Sequence, residues 1–85
     1  MSVMSAQVSL YPLRQVSIGT PVREAVHVFH DHNLKTRMGA MSTLVWGEEQ
    51  EVFAALQEAF HRAAEHGDVV MTVTLSNACP SPEES

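Results

Sequence analysis

The stretch SAQVSLYPL, residues 5–13, decides how this chain folds. Ala6, Val8 and Leu10 alternate with Gln7, Ser9 and Tyr11, the period-2 pattern of a strand with one apolar and one polar face. The apolar side requires a core. The side lined by Gln, Ser and Tyr has three uses open to it: meeting water, pairing with a second copy, or holding a small polar molecule. Pro12 is expected to end the strand, because proline brings no N–H to a ladder.

Downstream, TPVREAVHVFHDHN carries a helix start, with Thr20 as N-cap and Pro21 at the first helical position. Val22, Ala25, Val26 and Phe29 recur at i, i+3, i+4 and i+7 as one buried stripe. Asn33 suits a left-handed stop, so the helix is predicted over Pro21–His32. LKTRMGAMSTLVWG then reads as an antiparallel hairpin around Gly39-Ala40, with strands over Lys35–Met38 and Met41–Trp46 and Gly47 closing the second.

EEQEVFAALQEAFHRAAEHG is the second helix. Val52, Leu56, Ala59, Phe60 and Ala63 form its stripe, with Phe53 at the edge. Glu48, Glu49 and Glu51 are placed in its first turn, where the dipole favours negative charge, and Gly67 is its C-cap. DVVMTVTLSN is a last strand, with Val69, Met71, Val73 and Leu75 alternating against Val70, Thr72, Thr74 and Ser76.

The order β-α-β-β-α-β, with one apolar stripe per helix, predicts a ferredoxin-like α+β domain: a four-stranded antiparallel sheet with two helices on one face. The domain is predicted over residues 1–80, followed by a disordered tail, 81–85. The first and last strands, being the most apolar, are expected in the centre. The uncovered face then carries Gln7, Ser9, Tyr11, Thr72, Thr74 and Ser76. It is rich in hydroxyls and free of charge on those strands, which reads as a contact surface more than a solvated one.

At 85 residues a chain buries only about 60–65% of its unfolded surface, so association with further copies would help it. Ten acidic against five basic residues give a formal charge of −5, which argues against a nucleic-acid partner. No run of about 18 apolar residues suggests a membrane span. MSVMSAQ has neither the basic nor the apolar region of a secretory signal, so the cytoplasm is the expected location. The single cysteine, Cys79, has no CxxC companion.

His27 shares a helix face with His30 at i+3 and with Asp31 at i+4, but that face points away from the stripe, and no fourth-position partner has usual zinc spacing. They read as solvated, and no metal is expected. His66, beside Gly67, is placed to favour the negative helix end. Cys79 lacks a nucleophile motif and any tied base, the glycines form no phosphate loop, and the central strands lack the stacking aromatics of an RNA-recognition domain. No enzyme is predicted. Ser42 and Thr43 at the hairpin mouth are accounted for equally by a tight turn and by ligand hydrogen bonding.

AQVSLYPL, AMSTLVWG, EVFAALQEAF and SNACP, in this order from Ser5 to Pro80, resemble the YKOF-related family of thiamine- and hydroxymethylpyrimidine-binding proteins. The resemblance implies a ferredoxin-like domain, reversible binding of thiamine or its hydroxymethylpyrimidine precursor without catalysis or cofactor, and a role in vitamin uptake, salvage or handling. It also implies association, as homodimer or homotetramer, since some members carry two such domains. Ser9, Tyr11, Ser42 and Thr43 are carried over as ligand-binding positions. Gln7, Trp46 and Asn77 join them on expected geometry, with Tyr11 and Trp46 as candidate stacking partners. Lys35 and Arg37 are the obvious place for a phosphate, were the ligand phosphorylated. The competing reading is an oligomeric interaction module or an amino-acid-sensing regulatory module.

Overall fold

The computed structural model describes residues 2–13 and 19–78; Cys79 and the tail 81–85 lie outside them. The elements are β1 (Val3–Leu13), α1 (Gly19–Asp31), β2 (Lys35–Met38), β3 (Thr43–Glu48), α2 (Glu49–Ala64) and β4 (Asp68–Ser76). They form one four-stranded sheet in the order β2-β3-β1-β4, every neighbouring pair antiparallel, with both helices against one face. This is the ferredoxin-like arrangement the sequence predicts.

The strand order corrects one expectation. β4 is an edge strand, and β3 shares the centre with β1. Each helix connects two parallel strands, and each connection passes over one intervening strand, so β1 and β3 become the inner pair. Apolarity misled here because β4's second face, with Val70, Thr72 and Thr74, is exposed. The short β3 instead buries Val45 and Trp46.

Four boundaries also move. β1 continues through Pro12 to Leu13, paired with β4 as Pro12↔Val69 and Leu13↔Asp68. β3 pairs with β1 only as far as Val8↔Thr43, so β1's other side carries no strand there and a proline is tolerated. Thr20 lies inside α1, not at its cap, and its hydroxyl accepts a hydrogen bond from Arg23 at 3.2 Å. β3 starts at Thr43, and Gly47 lies within it, opposite Met4. A Cβ at Gly47 would stand 2.5 Å from Leu34 Cδ2, so the glycine admits Leu34 where it was expected to end the strand. Glu48 closes β3 and occupies the N-cap position of α2 in extended conformation, leaving Glu49 and Glu51 in the first turn.

The helices bury stripes slightly rotated from those predicted. α1 buries Pro21, Ala25, Val28 and Phe29, leaving Val22 and Val26 half-buried. α2 buries Val52, Ala55, Leu56, Ala59 and Ala63, while Phe60 stays 44% exposed, like Phe53. Facing them are Met4, Ala6 and Val8 of β1 and Val45 of β3, with Met71 and Val73 of β4 partly buried against the cluster.

The stop after α1 is as predicted. Asn33 has φ 60°; its N–H donates to His30 O at 2.9 Å, and Leu34 N–H donates to Phe29 O at 3.0 Å. These two bonds are the Schellman pattern, and its two apolar positions, Leu34 and Phe29, both belong to the buried core cluster. The cap of α2 differs from expectation: the C-cap is Glu65, and Gly67 follows two residues later with φ 142°, a conformation that favours glycine.

Candidate functional site

The unequal lengths of β1 and β3 create the site. Past Val8↔Thr43, β1 runs on from Ser9 to Leu13 paired only with β4. The sheet therefore has a notch where β3 would continue. The hairpin tip, Gly39–Ser42, fills its mouth and is closed by Gly39 N–H donating to Ser42 O at 2.7 Å.

Two polar residues of β1 hold that tip. Gln7 Nε2 donates to Ser42 Oγ at 3.2 Å, and Ser9 Oγ donates to Met41 O at 3.3 Å. The alternation of residues 5–13 thus puts hydrogen-bonding groups on the side where the hairpin needs an anchor.

Beneath the tip lies a pocket of about 350 Å³, near the lower end of the range for small-molecule sites, roughly 300–1,000 Å³. Val8 and Leu10 form one wall, Val22, Ala25, Val26 and Phe29 of α1 the opposite one, and Met38 to Thr43 the third, with Tyr11 at the rim. Among the described residues, none that lines it carries a charge. Thr43 is buried, and among the described residues its hydroxyl has no hydrogen-bond partner. Such a group costs about 1–3 kcal/mol if nothing satisfies it.

The structure thus puts Tyr11, Ser42 and Thr43 in the pocket lining; Ser9 and Gln7 reach the hairpin tip through Met41 and Ser42 but are not among the lining residues. It does not bring Trp46 or Asn77 there. Trp46 lies opposite Ser5 and Lys35, six residues along β1 from the level of Tyr11 and so about 20 Å away at strand rise. Asn77 adjoins Ser2, Glu49 and Phe53 at that same far end. Sequence reasoning did not assign the α1 wall to the pocket, having placed Val22 and Val26 in the core. One signal was available: Met38 and Met41, two methionines around a tight turn, are 58% and 81% exposed. Lys35 and Arg37 flank Trp46 and Leu44 on the edge strand β2.

The titratable groups gather on the helix layer instead. His32 Nδ1 lies 2.8 Å from Glu51 Oε1, and its Nε2 lies 3.2 Å from Glu58 Oε1; Arg62 pairs with Glu58 at 3.1 Å. Both ring nitrogens can donate to carboxylates only when the ring is protonated, and the Glu51 and Glu58 hydrogen bonds raise the His32 pKa above its ordinary value. At the other end of the layer His66 Nε2 meets Glu24 Oε2 at 2.9 Å, a cross-helix partner in addition to its place near the end of α2. His27, His30 and Asp31 are exposed, with His30 bonded to Thr36 at 3.0 Å. Among the described residues no three His, Cys, Asp or Glu side chains converge as a metal site would need. No described helix is long and apolar enough to cross a membrane.

Residues 3–82 match the model of the YKOF-related family. UPF0045 protein MJ1052 of Methanocaldococcus jannaschii is 36% identical over 55 residues, 64% of this chain and 55% of that protein's length. The crystal structure of MJ1052 superposes with a TM-score of 0.83 at 28% identity, covering 95% of this chain and 86% of that one. SP2199 of Streptococcus pneumoniae shares the fold at a TM-score of 0.83 and 19% identity, covering 96% and 94%. TM0486 of Thermotoga maritima, whose suggested role is thiamine biosynthesis or salvage, does so at 0.76 and 17%, covering 96% and 92%. The chain belongs to the YKOF-related family.

Proposed function

We propose that this member of the YKOF-related family reversibly binds thiamine or its hydroxymethylpyrimidine precursor in the notch pocket, performing no chemistry on it, as part of vitamin uptake, salvage or handling in the cytoplasm. The observation that carries this reading is a mostly apolar pocket whose described lining residues carry no charge and include the buried Thr43, whose hydroxyl has no hydrogen-bond partner among the described residues. An aminopyrimidine presents donor and acceptor edges around a flat apolar face. Thr43, Ser42 and the β1 backbone beyond Val8 suit its edge, and the α1 wall suits its face. The described lining residues carry no charge, which favours entry of the neutral pyrimidine. A cationic thiazolium then stays at the rim, against Tyr11. The family match and the suggested role of TM0486 support the ligand class.

Calorimetric titration with thiamine, hydroxymethylpyrimidine and thiamine pyrophosphate tests this. Dissociation constants near micromolar are expected for the first two, on the order of −8 kcal/mol. Thr43→Val, which keeps the shape and removes the hydroxyl, is expected to weaken binding about tenfold, and Tyr11→Ala to weaken thiamine more than the free pyrimidine. No heat from any of the three, or unchanged binding in Thr43→Val, overturns the reading.

A further inference from the structure

The ligand reading leaves the two methionines of the hairpin tip without a task of their own. Met38 and Met41 are 58% and 81% exposed, against 8% for Met4, and Met71 is half-buried against the core cluster. A thioether left in water forgoes the burial that keeps methionine in a core. Both exposed residues also line the notch pocket, in the wall formed by the hairpin.

The chemistry of sulfur separates them from any other apolar residue at these positions. The lone pair of a thioether attacks the O–O bond of a peroxide. That bond breaks, one oxygen passes to sulfur, and the other leaves as water. Sulfur loses two electrons and the peroxide gains them. The sulfoxide is polar and accepts hydrogen bonds, and reduction by a dithiol on a reductase returns the thioether, with a disulfide and water as products.

Position decides what that polarity would do here. Met38 lies directly opposite Thr43 on the β2–β3 ladder, and directly opposed residues point to the same side of a sheet with Cβ atoms about 4.5–5.5 Å apart. Thr43 is buried, and among the described residues its hydroxyl has no hydrogen-bond partner. A sulfoxide at Met38 offers that hydroxyl an acceptor from the protein itself, in competition with the edge of a bound ring. Met41 keeps its backbone anchor, the Ser9 hydrogen bond to its carbonyl at 3.3 Å, while its side chain turns polar at the pocket mouth.

We propose that Met38 and Met41 are sites of reversible oxidation by peroxides, and that their sulfoxides lower the affinity of the notch pocket for thiamine and hydroxymethylpyrimidine. This regulation rests on the ligand reading for what the pocket holds, and on exposure for which methionines react. Met4, with its side chain in the core, is the internal standard.

Treatment with hydrogen peroxide and peptide mass mapping test the first half, with Cys79 capped by N-ethylmaleimide so that no thiol competes. Met38 and Met41 are expected to gain one oxygen several times faster than Met4. Equal rates at the three, or faster oxidation of Met4, overturn the proposal. Calorimetric titration of thiamine into the same protein before and after treatment tests the second half, with circular dichroism as the check on folding. The dissociation constant is expected to rise about fivefold or more, and to recover after methionine sulfoxide reductases and dithiothreitol. In a Met38→Leu, Met41→Leu double variant, which keeps the side-chain volumes close, the affinities before and after peroxide are expected to match, whatever their common value. Oxidised wild type that binds thiamine as tightly as the untreated protein, or a double variant that loses affinity to the same extent, overturns the proposal and leaves the ligand reading standing. Untreated protein that binds neither thiamine nor hydroxymethylpyrimidine overturns both.

Discussion

His32 ties the end of α1 to α2, and removing its charge makes a sharp prediction. Both ring nitrogens bond to carboxylates, at 2.8 Å to Glu51 and 3.2 Å to Glu58. A buried bond between charged partners contributes about 1.5–3 kcal/mol. Here the carboxylates are 47% and 37% exposed, so solvent screening reduces each bond to the upper range of surface pairs, about 0.5–1 kcal/mol. The clamp then contributes about 1–2 kcal/mol, where 1 kcal/mol corresponds to roughly 4–8 °C in Tm for a domain of this size. Because the folded pKa is raised from 6.5, this stabilisation is fully present below that value and is lost as pH rises through the folded pKa. Urea denaturation of wild type and His32→Gln between pH 5.5 and pH 9 measures it. The His66–Glu24 pair is intact in both proteins and cancels in the difference. The expected difference is about 1–2 kcal/mol at the acid end, shrinking to a few tenths at pH 9, and smaller in high salt. A difference that is constant with pH, or that grows as pH rises, would refute the clamp.

Two further substitutions probe the segment between α1 and β3. Gly47→Ala drives a Cβ into Leu34 Cδ2, 2.5 Å away, and is expected to cost about 1–3 kcal/mol. In a Leu34→Ala background most of that cost should vanish, and additivity within about 0.5 kcal/mol in chemical denaturation would exclude the contact. At Asn33, where φ is 60°, Asn33→Gly is expected to be nearly neutral and Asn33→Val to lose about 1–2 kcal/mol. Equal midpoints for the two variants would mean that the left-handed stop contributes nothing.

Much of this protein was legible along the chain because the features concerned are local. Alternation over residues 5–13, the apolar spacing in both helices and the stop at Asn33 depend on neighbours within a turn or a strand, and these were enough for the β-α-β-β-α-β order and the ferredoxin-like fold. Gln7, Ser9, Tyr11, Ser42 and Thr43 lie near one another because they sit on β1, on β3 and on the hairpin tip just before β3, and that fold dictates the pairing of the two strands. What the sequence did not reveal depends on packing between distant segments. Phe60 lies at the helical spacing of a core residue, yet it is 44% exposed. Gly47 resembles a strand terminator, and only the approach of Leu34 gives it another reason. β4 is apolar enough to be central, but strand position is decided by the crossovers, which leave it outermost. The notch has a similar origin: β1 is eleven residues long and β3 six, and no local pattern in either announces that the difference opens a pocket over α1. The sequence by itself determined which residues face a core and which do not; the tertiary structure decided which of those faces is covered, because covering is done by segments far away in the chain.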